Sequence, residues 1–387
     1  MQNDKAGIIL VLMAITLVVA AAAVIILNDN EDDERIIVTT IRGMGEYKEI
    51  ELECTAQDVY DMGCSIGDRI LVEANGHTYD ATFVKRYSGI GVMGSYISTA
   101  DDVQNPHVSF GAFNVRIWDH SGCQIGDTVT LKRNGVDPIF AKMSHYTAGT
   151  PKHYDGTVPE EVFCNFRAID TVGIKSDWIY RSVSPYRAQT ERSEMVAGLY
   201  EKEGIEYILS LGDTGSRVES CRQAYGDSYY PVRLYDEGNA AVMNLDSNFN
   251  REPSDLRKGL LALADSEGKV VINCYQGKDR TGMICAMIEA LTGSDYEEVK
   301  KEYMLSYVNH YRIEEGSEEY DIVGNIMFDR YFYLLDHPEI VEQTGSFDWS
   351  VMDGYVFDLE AISLKFLKEY AGMTDDEIDR VIDRVAK

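Results

Sequence analysis

Residues 273–282 read Asn-Cys-Tyr-Gln-Gly-Lys-Asp-Arg-Thr-Gly, which sets a thiol, Cys274, six positions before a guanidinium, Arg280. A thiolate is a strong nucleophile, and the planar arginine fork can hold two oxygens of a phosphoryl group in a geometry that lysine cannot supply. The same positive charge would compensate negative charge in a transition state. Gly277 between them lets the backbone bend without a steric penalty. This stretch is read as a phosphate-binding catalytic loop.

Such a loop works only if the flanking elements hold it open. Before it, Lys269-Val270-Val271-Ile272-Asn273 is a short β-branched run suited to a buried parallel strand. After it, Met283, Ile284, Ala286, Met287, Ala290 and Leu291 carry a helical apolar pattern. Strand, tight loop and helix would curl the amides from Tyr275 through Gln276, Gly277, Lys278 and Asp279 to Arg280 into a nest at the positive end of the helix. A thiol at such a helix start beside an arginine drops from about 8.5 to about 4–7, which makes Cys274 a thiolate at neutral pH.

Cys-x5-Arg followed by Thr281 resembles the signature of the cysteine-dependent protein tyrosine phosphatase superfamily, and Gly-Lys-Asp-Arg-Thr-Gly resembles its bacterial tyrosine and lipid phosphatase group. Asn165-Phe166-Arg167, Tyr180-Arg181-Ser182 and Glu302-Tyr303-Met304-Leu305-Ser306 are similar, in order, to three further segments of that group. The resemblance spans roughly residues 160–385. It implies that Cys274 attacks phosphorus to form a phosphocysteine, that Arg280 binds the phosphoryl group, and that Thr281 donates a hydrogen bond to the sulfur. A general acid must then protonate the leaving oxygen and serve as base for water. Asp279 is the expected acid, with Asp213 and Asp236 as rivals. Relatives often carry Asp-Leu-Arg where this chain has Ser210-Leu211-Gly212, so a carboxylate sometimes placed there is missing. The family's histidine before the nucleophile is replaced by Asn273, which cannot become a cation and is expected to leave the thiolate less stabilised. A decayed, phosphate-binding site and a sulfur-transfer domain are the bland alternatives; the intact Lys278-Asp279-Arg280-Thr281 run disfavours the first and Arg-Thr-Gly the second.

Gly7 to Leu27 is an apolar run of 21 residues without a charge. At about 1.5 Å per residue it would span a bilayer core of about 30 Å. Lys5 precedes it and Asp29, Glu31, Asp32, Asp33 and Glu34 follow, which predicts a single-pass anchor with the domains outside the cytoplasm. The alternative is a cleaved signal segment with Ala20-Ala21-Ala22 as its small-residue site. Seven cysteines, Cys54, Cys64, Cys123, Cys164, Cys221, Cys274 and Cys285, leave at least one thiol free in an exported chain. Cys285 is a core thiol or a resolving partner for Cys274. The net charge of −29 disfavours nucleic acid and anionic lipid surfaces as partners. Seven scattered histidines form no metal-spaced cluster, and neither a metal nor another cofactor is expected.

The chain's 387 residues allow two or three domains. Gly63 to Gly76 returns 59 residues later as Gly122 to Gly135 with seven of fourteen positions identical. Each copy holds a Gly-Asp turn, an alternating strand and an Asn-Gly hairpin signal. With strand-like runs at Ile36–Ile41, Thr78–Lys85 and Val108–Trp118, the two copies are expected to close a small β-barrel similar to the cradle-loop barrels. Ser144 to Pro159 reads as a linker. Beyond it, helices are expected at Thr190–Glu203 and Ser254–Ala264, a strand at Tyr207–Leu211, and helix starts at Ser294-Asp295-Tyr296-Glu297 and Thr374-Asp375-Asp376-Glu377. The last helix presents Ile378, Val381, Ile382 and Val385 as one apolar stripe. The expected organisation is an anchor or signal over 1–27, a β-barrel over 28–150, and an α/β domain over 151–387 whose mostly parallel sheet is flanked by helices. The expected activity is an exported phosphatase acting on phosphotyrosine, a related phosphoprotein or a small phosphomonoester. Phosphoinositide or inositol phosphate hydrolysis and a non-catalytic phosphate-binding surface module are the alternatives.

Overall fold

The computed structural model describes residues 25–29, 34–45, 48–85, 95–99, 106–112, 117–137, 153–245, 253–337 and 349–387. The chain divides into two compact units, with a boundary between His145 and Tyr146.

In the first unit, alternating residues make two-faced strands that have to close on themselves to hide the apolar side. The strands are β1 (Ile25–Asp29), β2 (Glu34–Met44), β3 (Ile50–Thr55), β4 (Asp68–Ala74), β5 (His77–Val84), β6 (Ser95–Ser98), β7 (His107–Ala112) and β8 (Thr128–Val136). Seven of them run β2-β3-β7-β6-β5-β4-β8, and β8 returns to β2, which completes a barrel. Ile37, Leu52, Ile70, Val72, Phe83, Phe110, Val129 and Leu131 fill it.

The repeated segments meet as neighbours, with Val72 opposite Leu131 in the antiparallel β4–β8 pair. Asn75-Gly76 makes the two-residue hairpin into β5, both residues at positive φ. Its counterpart makes no hairpin. Asn134-Gly135 lies inside β8, where the register shifts between Asp68 and Ile70 and Gly135 takes φ 81°, so the same dipeptide forms a bulge. The strand expected over Val108–Trp118 ends at Ala112, and Ile117–Ser121 is helical.

Of the expected membrane helix, residues 7–24 lie outside the described residues. Ile25 to Leu27, its last three positions, are strand rather than helix, because they pair antiparallel with Ile36 to Val38. No helix among the described residues is long and apolar enough to cross a membrane.

The second unit holds β9 (Arg167–Ala168), β10 (Ile179–Val183), β11 (Ile205–Ser210), β12 (Ala240–Val242) and β13 (Lys269–Cys274) in the order β12-β11-β13-β10-β9. All pairs are parallel except β10–β9. β13 is central, and Val270, Val271 and Ile272 expose no surface, as a strand covered on both faces requires. The helix Asp279–Leu291 leaves the end of β13 and is buried from Thr281 to Ala290, so its apolar pattern has no solvent face. It packs on the helices Tyr296–Tyr311 and Leu359–Lys365. The first of these is capped one residue later than the box at Ser294 suggests, since Asp295 accepts from the Glu298 amide at 2.9 Å. The box at Thr374 and Glu377 forms and opens the helix Asp375–Val385, whose Ile378, Val381 and Val385 are buried.

Candidate active site

The loop after β13 is shaped from behind. The Ser184 amide donates to the Tyr275 carbonyl at 3.3 Å, and Asn165 Nδ2 donates to the Gly277 carbonyl at 2.9 Å. Arg181 Nη2 donates to the carbonyls of Gly277 at 3.1 Å and Lys278 at 3.2 Å. His310 Nε2 meets the Gln276 carbonyl at 2.7 Å, while Arg192 donates to its Nδ1 at 3.3 Å. That arrangement puts the imidazole proton on Nε2. Burial and the nearby Arg192 push His310 down to about 3, so it holds the loop as a neutral donor.

In a trans peptide the N–H opposes the preceding C=O. With four successive carbonyls drawn backward, the amides of Gln276, Gly277, Lys278 and Asp279 face forward. Among the described residues none of them donates to a protein acceptor. Gly277 has φ 62°, and a Cβ there would collide with the Ser182 carbonyl. Only glycine fits this position.

Two of these donors, Asn165 and Arg181, come from segments that resemble those of the phosphatase group, and the third such segment, 302–306, holds them in place. Arg167 and Arg181 both pair with the Glu302 carboxylate, Arg167 Nε at 2.7 Å. Ser306 Oγ accepts from Arg167 at 3.0 Å and from Asn165 at 3.2 Å. The segments at 165, 180 and 302, far apart in sequence, therefore form one buried brace.

Cys274 ends β13 with its side chain buried. Burial pushes its thiol up, but the Arg280 guanidinium and the Thr281 hydroxyl and amide outweigh burial, so the thiol lies below its ordinary range. The Thr281 hydroxyl is buried and has no hydrogen-bond partner of ordinary geometry among the described residues, so its effect on the sulfur is that of a nearby dipole. Every other cysteine is pushed the opposite way by burial: Cys54, Cys64 and Cys164 to about 12, Cys221 to about 11, with Cys123 and Cys285 also raised. All seven are free thiols. The expectation that Asn273 leaves the thiolate poorly stabilised is therefore offset by Arg280 and Thr281. Asn273 is itself held through a chain of side chains. Ser210 Oγ lies 2.8 Å from Asn273 Oδ1 and 2.7 Å from Asp213 Oδ2.

Arg280 Nη1 donates to the Leu245 carbonyl at 2.6 Å, and its guanidinium fills the space a side chain at Gly212 would need. Lys278 is buried, donating to the Tyr311 hydroxyl at 2.9 Å and pairing with Asp279 at 3.2 Å. What it offers an anion in this arrangement is its backbone amide. Asp279 also accepts from the Tyr307 hydroxyl at 2.8 Å. Its side chain is 45 % exposed, so it borders solvent. Burial raises its pKa, but Lys278 and Tyr307 outweigh that and hold the carboxyl below the usual carboxylate range. Of the rivals, Asp213 is fully buried, with Ser184, Ser210 and Arg217 on its two oxygens. Asp236 is an exposed partner of Arg222. Tyr275 is exposed, with the Arg187 guanidinium 4.1 Å over its ring, and Gln276 is half-buried.

Tyr307, His310 and Tyr311 were not singled out in the sequence as site residues. By its spacing the 296–311 helix is expected to pack Val299, Tyr303 and Tyr307 in the core as one face; His310 and Tyr311 follow Tyr307 on the next turn, so that face also reaches the loop. Among the described residues no three His, Cys, Asp or Glu side chains gather as a metal site.

The sequence model described as the tyrosine phosphatase family matches residues 165–386, more than half of the chain and nearly all of the second unit. The chain belongs to the tyrosine phosphatase family. No curated protein matches it. Among solved structures, a crystal structure of an uncharacterized conserved protein from Thermotoga maritima aligns at 8% identity and TM-score 0.23, over 28% of this chain and 38% of that one. The match covers well under half of that protein's length, and at that score the likeness carries nothing further.

Proposed function

We propose that the protein hydrolyses phosphomonoesters, phosphotyrosine or a related phosphoprotein among them, through a phosphocysteine. The supporting observation is the loop: four amides turned forward beside the one thiol whose pKa is lowered rather than raised. In this reading the phosphate oxygens rest on the amides from Tyr275 to Arg280 and on the Arg280 fork. The Cys274 thiolate attacks phosphorus, an S–P bond forms, the P–O ester bond breaks, and the Asp279 carboxyl, in the minority of molecules that carry it protonated, gives its proton to the leaving oxygen. Water then attacks phosphorus, Asp279 takes its proton, and inorganic phosphate leaves with the thiolate restored. Thr281 is placed to favour the sulfur as an anion when the S–P bond breaks. The reaction needs neither metal nor cofactor.

The phosphoinositide reading is weaker, because Lys278, the loop's lysine, is occupied by Asp279 and Tyr311. The N-terminal apolar run is read as a membrane anchor, with the catalytic unit outside the cytoplasm, or as a cleaved export signal. The resemblance of the repeated Gly-Asp boxes to cradle-loop barrels bears on fold and leaves the first unit's ligand open.

The test is hydrolysis of an aryl phosphate by residues 28–387 across pH 5–8 under reducing conditions, with Cys274→Ser and Asp279→Asn in parallel. Turnover by the wild type that is lost in the serine variant supports the covalent route. Tight phosphate binding without wild-type turnover assigns the protein to non-catalytic recognition.

A further inference from the structure

Two backbone features fix the guanidinium of Arg280. Its Nη1 donates to the Leu245 carbonyl at 2.6 Å, and a Cβ on Gly212 would fall 2.7 Å from its Cζ and 2.9 Å from its Nη2. No side chain fits at 212 while Arg280 stays where it is. The backbone there is tied down. After β11 the chain offers four successive carbonyls and each accepts: Ser210 from the Met243 amide at 2.9 Å, Leu211 from the Leu245 amide at 2.8 Å, Gly212 from Arg217 Nη1 at 2.7 Å, and Asp213 from the Asn244 amide at 3.0 Å. The Leu211 amide donates in turn to the Asn273 carbonyl at 2.8 Å, next to the nucleophile. Segments 210–213 and 243–245 are thereby laced to each other and to the end of β13. Gly212 has no positive φ, so its bareness answers to space and not to backbone conformation. With Nη1 spent on Leu245, Nε and Nη2 of Arg280 make no hydrogen bond among the described residues, and these two atoms are an edge with which an arginine can grip two oxygens at once.

We infer that Gly212 and the Leu245 carbonyl are the positioning device of Arg280: the bare glycine gives the guanidinium its place, and the carbonyl fixes its rotation so that the Nε–Nη2 edge serves the phosphoryl group. The inference rests on the phosphatase reading above for what that edge binds. It gives a residue without a side chain, in the segment after the neighbouring strand, a part in the reaction that it plays through Arg280. Between a laced backbone and the free end of a long side chain, the side chain moves. Gly212→Ala is therefore expected to fold normally and to displace the fork.

The experiment compares Gly212→Ala with the wild type, both as the full chain, on p-nitrophenyl phosphate, with Gly215→Ala as the control. A Cβ at Gly215 meets the Tyr235 hydroxyl at 3.4 Å and no atom of Arg280. Gly212→Ala is expected to lower kcat/KM about 10²-fold, kcat falling and KM rising, because Arg280 holds the phosphoryl group both before and during transfer. Its melting temperature should stay near that of the wild type, and Gly215→Ala should keep wild-type kinetics. A second readout needs no turnover. Burial pushes the Cys274 thiol up and Arg280 pulls it down, so moving the fork away should raise the pH at which iodoacetamide alkylates Cys274. Arg280→Ala should raise that midpoint further. Gly212→Ala added to Arg280→Ala should then change nothing, since the group it displaces is gone. Unchanged kcat/KM and an unchanged midpoint in Gly212→Ala would overturn the inference. So would a large fall in its melting temperature, which would mean that the backbone yields instead. A midpoint rise of equal size in the Arg280→Ala background, or the same losses in Gly215→Ala, would assign the effect to the segment and not to Arg280. If the wild type hydrolyses nothing while the alkylation cycle runs as expected, the phosphatase reading fails and the positioning of Arg280 stands.

Discussion

Cys274 differs from six other thiols by what surrounds it and not by burial, which all seven share. An alkylating agent such as iodoacetamide reacts with the thiolate, so native protein at pH 7 is expected to lose Cys274 first. The other six should remain unlabelled until unfolding, as peptide mass spectrometry would show. Asp279 makes a second test at this scale. If it is the proton donor, wild-type kcat/KM passes through a maximum and falls on the alkaline side. Asp279→Asn should abolish that fall, leave a single limb rising with Cys274 ionisation, and lower turnover of poor leaving groups by about 10²–10⁴-fold. An unchanged profile would remove Asp279 from the role. Glu289 tests the brace. It is fully buried, neither oxygen has a hydrogen-bond partner among the described residues, and burial and the ionised Glu302 drive its pKa well above the ordinary value. Folded protein therefore binds a proton that unfolded chain releases near pH 4.5. A raised carboxyl pKa means stability is greatest below that pH and declines as pH rises. Glu289→Gln should unfold at higher denaturant than wild type at pH 7, with the difference shrinking towards pH 4.

At the scale of elements, β13, the loop and the helix Asp279–Leu291 form one strand-to-helix unit, and its geometry depends on a glycine that admits no side chain. Gly277→Ala forces a methyl group against the Ser182 backbone at positive φ. Strain of this kind costs about 1–3 kcal/mol, and the loop can relieve it by moving its amides off the phosphate position. The expected result is a modest fall in melting temperature and a much larger fall in aryl phosphate turnover. Full turnover with a normal melting temperature would show that the loop tolerates another shape. The helix Tyr296–Tyr311 also supports the loop, with Glu302 and Ser306 on the brace and Tyr307, His310 and Tyr311 on or near the loop. Spacing of three and four residues puts all of these on adjoining turns.

Across the whole molecule, each unit has its own buried core, and every residue assigned to the reaction lies in the second. Residues 146–387 expressed alone are expected to fold and to hydrolyse p-nitrophenyl phosphate with kcat/KM within about threefold of the 28–387 protein, because small substrates meet only the loop. A loss beyond about tenfold would give the first unit a part in catalysis. That unit shows how a repeated sequence can take two local forms. The Asn-Gly of the first copy turns a hairpin, while the second is drawn into β8 as a bulge by its pairing with Asp68 and Ile70.

The sequence by itself determined the strand–loop–helix order at 269–291, the glycine at 277, the placing of Cys274 and Arg280 at the two ends of one loop, and the strand pattern of the repeat. These are local: they follow from residue type, spacing and the period of apolar positions. What reaches the loop from elsewhere was not legible in this way. Asp213 and Asp279 look alike as carboxylates in loops, and only packing shows one enclosed by Ser184, Ser210 and Arg217 and the other open to solvent beside Lys278 and Tyr307. His310 gave no signal because its partner, the Gln276 carbonyl, is a backbone atom 34 residues away. The hairpin and the bulge share one dipeptide, and Ile25 to Leu27 read as the end of a helix until β2 offered them a ladder. In each case the deciding term is a hydrogen bond or charge pair formed between distant segments, whose strength depends on burial that only the assembled fold provides.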